Sequence, residues 1–218
     1  MIDLYENEKR LWSLGYETIA GCDEAGRGPL FGPVVIASVI LPHDFVLEGL
    51  NDSKKLSEKK RNYYYPLIME RALAVSIIME KALSVGVSIV SAKEIDEINI
   101  YEASRQGMLR ATNSLKVKPD YIITDAMPLD GFTNVPHEAI IKGDAKSITI
   151  AAASVIAKVT RDRLMYEIDK MHPEYEFKKH KGYPTKKHIE LIEKYGIING
   201  YRRTYGPVKK YIEEHINK

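Results

Sequence analysis

Apolar and polar positions alternate along the chain in blocks that predict strands interleaved with helices. Residues 18–22 and 34–41 are predicted strands, and the second (VVIASVIL) has no polar side, so it should be buried on both faces. Residues 23–33 between them (DEAGRGPLFGP) hold three glycines and two prolines, which favour a turn. The pattern therefore predicts a hairpin with a polar, constrained tip.

The rest of the pattern extends this arrangement into a mixed α/β sheet. Residues 72–91 are ambiguous between helix and strand, with a strand favoured near 84–90, and further strands are expected at 121–125 and around 137–142. A helix capped by Ser57 should be interrupted or kinked at Pro66, and Ser91 with Glu94 forms a capping box. The predicted helices span residues 3–14, the segment after Ser57, 92 to about 115, 147–171, 185–195 and 207–216.

Composition fits a globular protein of 218 residues, with 44% hydrophobic and 28% charged residues. The length suits one large domain or a core with a helical appendage. The single cysteine, Cys22, excludes an intramolecular disulfide and agrees with a reducing compartment. Apolar runs stay shorter than the roughly 18 residues of a membrane span, and the first residues do not form a secretory signal. We therefore expect a cytoplasmic protein without membrane contacts.

Charge is distributed unevenly along the chain. Residues 1–139 carry 15 basic and 20 acidic side chains (−5), whereas residues 140–218 carry 17 and 10 (+7), giving the net charge of +2. This asymmetry is compatible with a surface that binds a polyanion beside a separate acidic site. It is equally compatible with an uneven, solvated surface.

Carboxylates accumulate where predicted strands end. Asp23 and Glu24 end the first strand, Asp125 ends the strand at 121–125, and Asp144 follows the 137–142 stretch in a KGD tripeptide. Open α/β sheets place their sites at such strand ends. Adjacent strand residues face opposite sides, so Asp23 and Glu24 can share one site only if the backbone twists or bulges there.

Four clustered carboxylates need a counter-charge, because like charges disfavour ionisation. Two divalent cations would supply it, and oxygen-only ligands favour Mg²⁺ or Mn²⁺. Two such ions can orient a water and stabilise a leaving oxygen in phosphodiester hydrolysis, which predicts a metal-dependent nuclease. Acids at strand ends also serve commonly as helix caps and turn formers.

The segment DEAGRGP at residues 23–29 resembles the signature of type 2 ribonuclease H, the ribonuclease HII family. The similarity extends from about residue 17 to residue 211 and includes seven further segments in the family's order. These segments are NDSKKLS (51–57), EIDEINI (94–100), TDAM (124–127), KGDAKS (142–147), AAASVIAKVTRDRLM (151–165), HKGYPTKKH (180–188) and RRTYGPVK (202–209). Residues 72–91 are longer than the corresponding family segment.

The resemblance implies a ribonuclease H-like mixed β-sheet flanked by helices, with a C-terminal helical region. It implies a single domain over residues 1–218, with a core of about 17–170 and the helical region at about 171–218, acting as a monomer. Enzymes of this family use Mg²⁺ or Mn²⁺ to cut the RNA strand of RNA–DNA hybrids. They also nick duplex DNA on the 5′ side of an embedded ribonucleotide. The family's four metal-site acids map onto Asp23, Glu24, Asp125 and Asp144.

The resemblance also implies substrate-binding residues. Gly26, Arg27 and Gly28 match the family's Gly-Arg-Gly, whose backbone can approach a 2′-hydroxyl and whose arginine can bind a phosphate. Tyr183 matches the tyrosine that senses the junction between a ribonucleotide and the following deoxyribonucleotide. Further contacts with the nucleic acid are expected from Asn51, Ser53, Lys54, Lys55, Lys142, Lys146, Ser154 and Lys158.

Four other residues are expected to have structural roles. His180 and His188 lack a metal-ligand pattern and are predicted to be polar surface residues. Cys22 is read as a small core residue, because no histidine is near it in sequence. Asp162 is assigned to an ion pair or a cap.

Three alternatives remain open. Type 3 ribonuclease H is the nearest, although that family usually carries an additional N-terminal substrate-binding domain. A non-catalytic nucleic-acid-binding module would use the basic C-terminal part, but clustered acids would repel phosphate unless metals are present. An aspartyl-phosphate phosphatase normally presents its nucleophile as D-x-D, whereas this chain has adjacent acids in DEAG.

Overall fold

The computed structural model describes residues 3–78 and 84–216. The strands in these ranges are β1 (Ile19–Ala25), β2 (Val34–Ile40), β3 (Ser84–Val90), β4 (Tyr121–Asp125) and β5 (His137–Ile140). The α-helices are α1 (Glu6–Ser13), α2 (Glu58–Ile78), α3 (Ala92–Asn113), α4 (Ile148–Met171), α5 (Phe177–His180), α6 (Lys186–Tyr195) and α7 (Gly206–His215). Short 3-10 turns occur at Gly143–Ala145 and Pro173–Tyr175. Within the described ranges, no helix has both the length and the apolar character needed to cross a membrane.

The strands form one mixed sheet in the order β3-β2-β1-β4-β5. The β1–β2 and β2–β3 pairs are antiparallel, whereas β1–β4 and β4–β5 are parallel. The predicted mixed sheet with flanking helices is confirmed. Because β1 and β4 are parallel neighbours, their carboxyl ends meet at one edge of the sheet.

Helices cover both faces of the sheet. One face packs against α2 and α4, with Ala37, Ile68 and Ala152 in its core, and the other packs against α3, with Ile36 and Met108. Strand β2 is buried along its whole length, as predicted. Helix α4 lies so close to β1 that a Cβ added at Gly21 would fall 2.6 Å from the carbonyl carbon of Thr149. This contact places the first turn of α4 directly against β1.

Three predicted features lie within the described residues: the Ser91 cap, the strand near 84–90 and the interruption at Pro66. Ser91 caps α3, since its hydroxyl accepts from the Glu94 N–H at 3.1 Å, and the strand predicted near 84–90 is β3. The predicted interruption at Pro66 is wrong, because α2 continues through it to Ile78. Tyr64 and Ile68 on either side are buried in the core, and this burial offsets the lost backbone hydrogen bond. Residues 79–83 of the ambiguous stretch lie outside the described residues.

The C-terminal helices support the 23–33 turn between β1 and β2. The Leu30 N–H donates to the carbonyl of Gly182 at 2.8 Å, and the Arg202 N–H donates to the carbonyl of Leu30 at 2.8 Å. Phe31 packs in a separate apolar cluster with Tyr175, Phe177 and other side chains of the C-terminal region. The turn therefore touches both the sheet and the C-terminal helices.

Candidate active site

Three aspartates converge at the edge where β1 and β4 end. Asp23, Asp125 and Asp144 each offer a carboxylate oxygen, and these oxygens all lie within 4.8 Å of one another. Among the described residues this is the one group of acidic, histidine and cysteine side chains with the geometry of a metal site. We call it the aspartate trio.

The topology explains how the trio assembles. Cys22 pairs with Thr124 in the parallel register, so the next residues, Asp23 and Asp125, emerge side by side. After β5 the chain reverses at Lys142, which has a left-handed backbone (φ 58°), and enters the 3-10 turn that carries Asp144. The N–H of Gly143 in that turn donates to Asp125 Oδ1 at 2.8 Å, which ties the turn to the end of β4.

Glu24 lies beside the trio without belonging to it. The β1–β2 register continues from Ala20 to Ala25 without a skipped residue, so the backbone does not bulge at Asp23 and Glu24. The two side chains therefore start on opposite faces of the sheet. Glu24 Oε1 lies 3.3 Å from Arg27 Nη1, while Glu24 Oε2 is buried without a hydrogen-bond partner in the described part of the chain.

The site carries an excess of negative charge. Burial, with the charges of Glu24 and Asp125, raises the pKa of Asp23 well above its usual value. Burial and the Asp125 charge likewise raise the pKa of Asp144, whose Oδ2 lies 3.3 Å from Lys54 Nζ. Burial also raises the pKa of Glu24, against the effect of Arg27. Buried carboxylate oxygens in excess of cations fit a hard divalent cation, and the orphaned Glu24 oxygen adds a further donor.

Two predicted substrate contacts lie behind the trio. Ser53 and Ser154 are both buried, and their hydroxyl oxygens are 2.8 Å apart. The Ser154 hydroxyl also acts on the Asp23 carboxylate and lowers its pKa, although burial of Asp23 dominates. Ser154 thus contacts the trio directly, Ser53 contacts Ser154, and both serines are shielded from solvent.

The predicted ribonucleotide-reading residues are brought together across the turn. Gly26 has a left-handed backbone (φ 102°), and the Arg27 side chain is 44% exposed. A Cβ at Gly28 would lie 3.5 Å from the ring of Tyr183, which is itself 41% exposed. Tyr183 and Gly28, distant in sequence, therefore border the same surface.

Most of the remaining predicted contacts are lysines. Lys54, Lys55, Lys142 and Lys146 are exposed, and Asn51 Oδ1 accepts from the Asp52 N–H at 2.9 Å. Lys158 Nζ instead lies 2.7 Å from Asp162 Oδ1, and Asp162 also faces Arg61 at 3.9 Å. Asp162 is thus in an ion pair, as predicted, and is outside the trio.

Two arginines that were not predicted from the sequence are buried beneath the turn. Arg161 donates to the carbonyls of Pro33, Lys181 and Phe31 at 3.0–3.3 Å. Arg202 donates to the carbonyls of Gly26, Arg27 and Gly32 at 2.6–3.1 Å. Burial lowers the pKa of Arg161 to about 10. Both lie in segments that match the family, but nothing in a sequence distinguishes a buried arginine from an exposed one.

The expected surface placement of His180 and His188 is wrong. His180 is 8% exposed and His188 is fully buried, with ring centroids 4.1 Å apart. Hydrogen bonds to both nitrogens of each ring make burial possible. Cys22 is buried as expected, and its Sγ lies 3.3 Å from Ser38 Oγ.

Comparisons with known proteins extend these observations. The family model described as Ribonuclease HII matches residues 20–205. The Ribonuclease HII of Bacillus cytotoxicus is 51% identical over 212 residues, covering 97% of this chain and 76% of the relative. The ribonuclease H2 of Pyrococcus horikoshii OT3 superposes with a TM-score of 0.73 at 29% identity, covering 90% of this chain and 98% of that structure. Bst-RNase HIII shares the fold, with a TM-score of 0.66 at 16% identity over 92% of this chain and 71% of its own.

The mixed sheet and the carboxylate cluster at its edge, together with these matches, place the chain in the class of metal-dependent nucleases of the ribonuclease H-like fold. The family model and the curated relative, which match nearly the whole chain, identify one family within that class. The chain belongs to the ribonuclease HII family. It is accordingly a metal-dependent endoribonuclease that acts on the RNA strand of RNA–DNA hybrids.

Proposed function

We propose that this enzyme also nicks duplex DNA on the 5′ side of a single embedded ribonucleotide, leaving 3′-hydroxyl and 5′-phosphate ends. The observation that carries the proposal is the position of the aspartate trio, whose oxygens lie within 4.8 Å of one another. The turn that bears Gly26, Arg27 and Gly28 directly follows the strand that supplies Asp23. A scissile phosphate at the trio would therefore have its ribose next to this turn.

Asp23, Glu24, Asp125 and Asp144 would hold two Mg²⁺ or Mn²⁺ ions. Bound there, the ions would orient the attacking water and stabilise the leaving oxygen. The chain's own contribution is to hold the carboxylates in place before the ions arrive. The Gly143 N–H fixes Asp125, the Ser154 hydroxyl acts on Asp23, and Lys54 holds Asp144 at 3.3 Å.

Recognition of the ribonucleotide would come from the turn and Tyr183. Glycines at positions 26 and 28 leave room for main-chain groups to approach a 2′-hydroxyl, which DNA lacks. Arg27 is half-exposed and could bind a neighbouring phosphate once released from Glu24. The exposed ring of Tyr183 would stack on the deoxyribose that follows the ribonucleotide.

The exposed polar side chains around the site would bind the phosphate backbone. These are Lys54, Lys55, Lys142 and Lys146, and the half-buried Asn51 would join them. The buried Ser154 would instead act on Asp23, and Ser53 would act through Ser154. Tyr183 lies in the C-terminal helical region and the trio in the core, so we also propose that residues 1–218 work as one domain. A junction substrate would touch both parts.

The test is cleavage of a DNA duplex that contains one ribonucleotide, with and without Mg²⁺ or Mn²⁺. We expect one nick on the 5′ side of the ribonucleotide, only when metal is present, and no cleavage of the matched all-DNA duplex. Mapping the ends by gel against chemically defined markers identifies the 3′-hydroxyl and 5′-phosphate. Cleavage restricted to longer RNA tracts, as in the type 3 alternative, would refute the proposal.

A further inference from the structure

The backbone around Tyr183 is held by two stacked histidines. The rings of His180 and His188 lie with centroids 4.1 Å apart and planes 17° apart, and both are buried among Phe177, Tyr201 and their neighbours. His180 ends α5 and His188 lies in the first turn of α6, so Tyr183 occupies the loop between the two rings. The pair thus encloses the loop from both ends.

Hydrogen bonds link each ring to the backbone next to Tyr183. His180 Nε2 donates to the Tyr175 carbonyl at 2.8 Å, so its Nδ1 accepts from the Gly182 N–H at 3.2 Å. His188 Nδ1 donates to the Tyr183 carbonyl at 2.9 Å, so its Nε2 accepts from the Tyr201 hydroxyl at 3.0 Å. These tautomers follow from the partners, because a carbonyl can only accept and an amide N–H can only donate.

The partners of the two rings also connect the loop to the glycine turn. Tyr201 packs edge-on against Phe31, and the Gly182 carbonyl accepts from the Leu30 N–H at 2.8 Å. A Cβ on Gly182 would lie 2.5 Å from the Phe31 carbonyl oxygen, so the two segments are in close contact. The direction of the Tyr183 ring relative to Gly28 is therefore set by the segment that the histidines hold.

We propose that His180 and His188 are positioning residues that aim the Tyr183 ring at the junction between a ribonucleotide and the following deoxyribonucleotide. This inference rests on the proposed function, in which Tyr183 reads that junction. Each neutral ring uses both nitrogens in hydrogen bonds, so neither is available to bind a metal or to move a proton in catalysis. They therefore affect the reaction through the position of the loop that carries Tyr183.

The experiment compares two substrates on the same enzyme sample. One is a duplex with a single ribonucleotide, and the other is an all-RNA strand paired with DNA, which contains no junction. The measured quantity is the ratio of kcat/KM for the first substrate to that for the second. Because both rates come from one sample, the folded fraction cancels, and a merely structural role of the histidines would leave the ratio unchanged.

Two variants of His188 distinguish the effect of its aromatic ring from the effect of its hydrogen bonds. His188→Phe keeps an aromatic ring beside His180 but loses both hydrogen bonds, and we expect the ratio to fall about tenfold. His188→Asn places an amide N–H where Nδ1 was, so it keeps the bond to the Tyr183 carbonyl and should restore most of the ratio. An unchanged ratio in His188→Phe, or an equal fall in both variants, would overturn the inference.

Tyr183→Ala distinguishes a failure of this inference from a failure of the proposed function. If Tyr183→Ala lowers the ratio and His188→Phe does not, the positioning role is refuted while junction reading by Tyr183 stands. If Tyr183→Ala leaves the ratio unchanged, the role of Tyr183 fails, and the inference fails with it. Absence of nicking at a single ribonucleotide by the wild type refutes both.

Discussion

Two adjacent regions of the molecule treat buried charge in opposite ways. In the aspartate trio, like charges lie within 4.8 Å of one another, and Lys54 faces Asp144 at 3.3 Å. Under the glycine turn, Arg161 and Arg202 are just as buried, yet their guanidinium groups donate to main-chain carbonyls. In the first region negative charges outnumber the nearby positive ones, whereas in the second region main-chain carbonyls surround each positive charge.

This difference indicates which region lowers the stability of the fold for the sake of function and which region raises it. A cluster of buried acids costs stability in the absence of cations, because burial and mutual repulsion both disfavour ionisation. A buried arginine surrounded by carbonyls stabilises the loop that it binds. We therefore expect that removing charge from the trio abolishes activity without loss of stability, whereas removing a guanidinium group beneath the turn destabilises the protein.

The largest expected effect is in the trio. Asp23→Asn and Asp125→Asn should lower kcat/KM on an RNA–DNA hybrid at least about a thousandfold, about 4 kcal/mol, because each loses a charged metal donor. The free energy of unfolding in the absence of metal should stay equal or rise, since repulsion is relieved. Initial cleavage rates and urea denaturation measure the two quantities.

Asp162→Asn is the matched control for those variants. Asp162 is also a buried aspartate, but it pairs with Lys158 at 2.7 Å and lies outside the trio. We expect it to retain cleavage and to lose stability, because Lys158 is left without its charged partner. Normal turnover by Asp125→Asn would contradict the distinction between the trio and other buried aspartates. A loss of activity in Asp162→Asn equal to that in the trio variants would contradict it as well.

The trio was largely predictable from sequence, whereas its surroundings were not. Apolar runs that end in an acid identify Asp23 and Asp125, because strand ends in α/β sheets gather at one edge. The side on which Glu24 leaves the sheet depends on register, and only the structure gives it. Ribonucleotide reading by Gly26 and Tyr183 rests on family resemblance, since spacing alone would not bring residues so distant in sequence together.

Burial of charged and polar side chains was the main property that sequence reasoning could not reach. Arg161, Arg202, His180 and His188 are all buried, although such residues are mostly exposed in proteins. The arginines donate mainly to main-chain carbonyls of distant segments, and the histidines bind nearby main-chain groups and the Tyr201 hydroxyl. None of these contacts can be recognised from composition or periodicity. Helix α2 likewise passes through Pro66 because of tertiary packing, which a local rule does not contain.

Arg202→Lys should have the second largest effect. Lysine cannot donate to the carbonyls of Gly26, Arg27 and Gly32 together, so buried acceptors lose their partners. We expect the free energy of unfolding to fall by about 3 kcal/mol, measured by urea denaturation without metal. Arg203→Lys, at the exposed neighbouring position, should leave stability within about 0.5 kcal/mol of the wild type. Equal stability in the two variants would mean that the buried guanidinium does not support the turn.

The smallest expected effect is a pH dependence of the free energy of unfolding, and it arises at His188. Burial, together with the neighbouring His180, lowers the pKa of His188 to about 4, while its ordinary value is 6.5. Between these values the unfolded chain binds a proton that the folded chain does not, so stability is complete above pH 6.5 and falls as the pH drops toward 4. His188→Asn should flatten the metal-free stability profile by at most about 1.4 kcal/mol per pH unit in this window. Identical slopes in wild type and His188→Asn would show that burial does not hold His188 neutral, and the two regions would then no longer differ in their pH dependence.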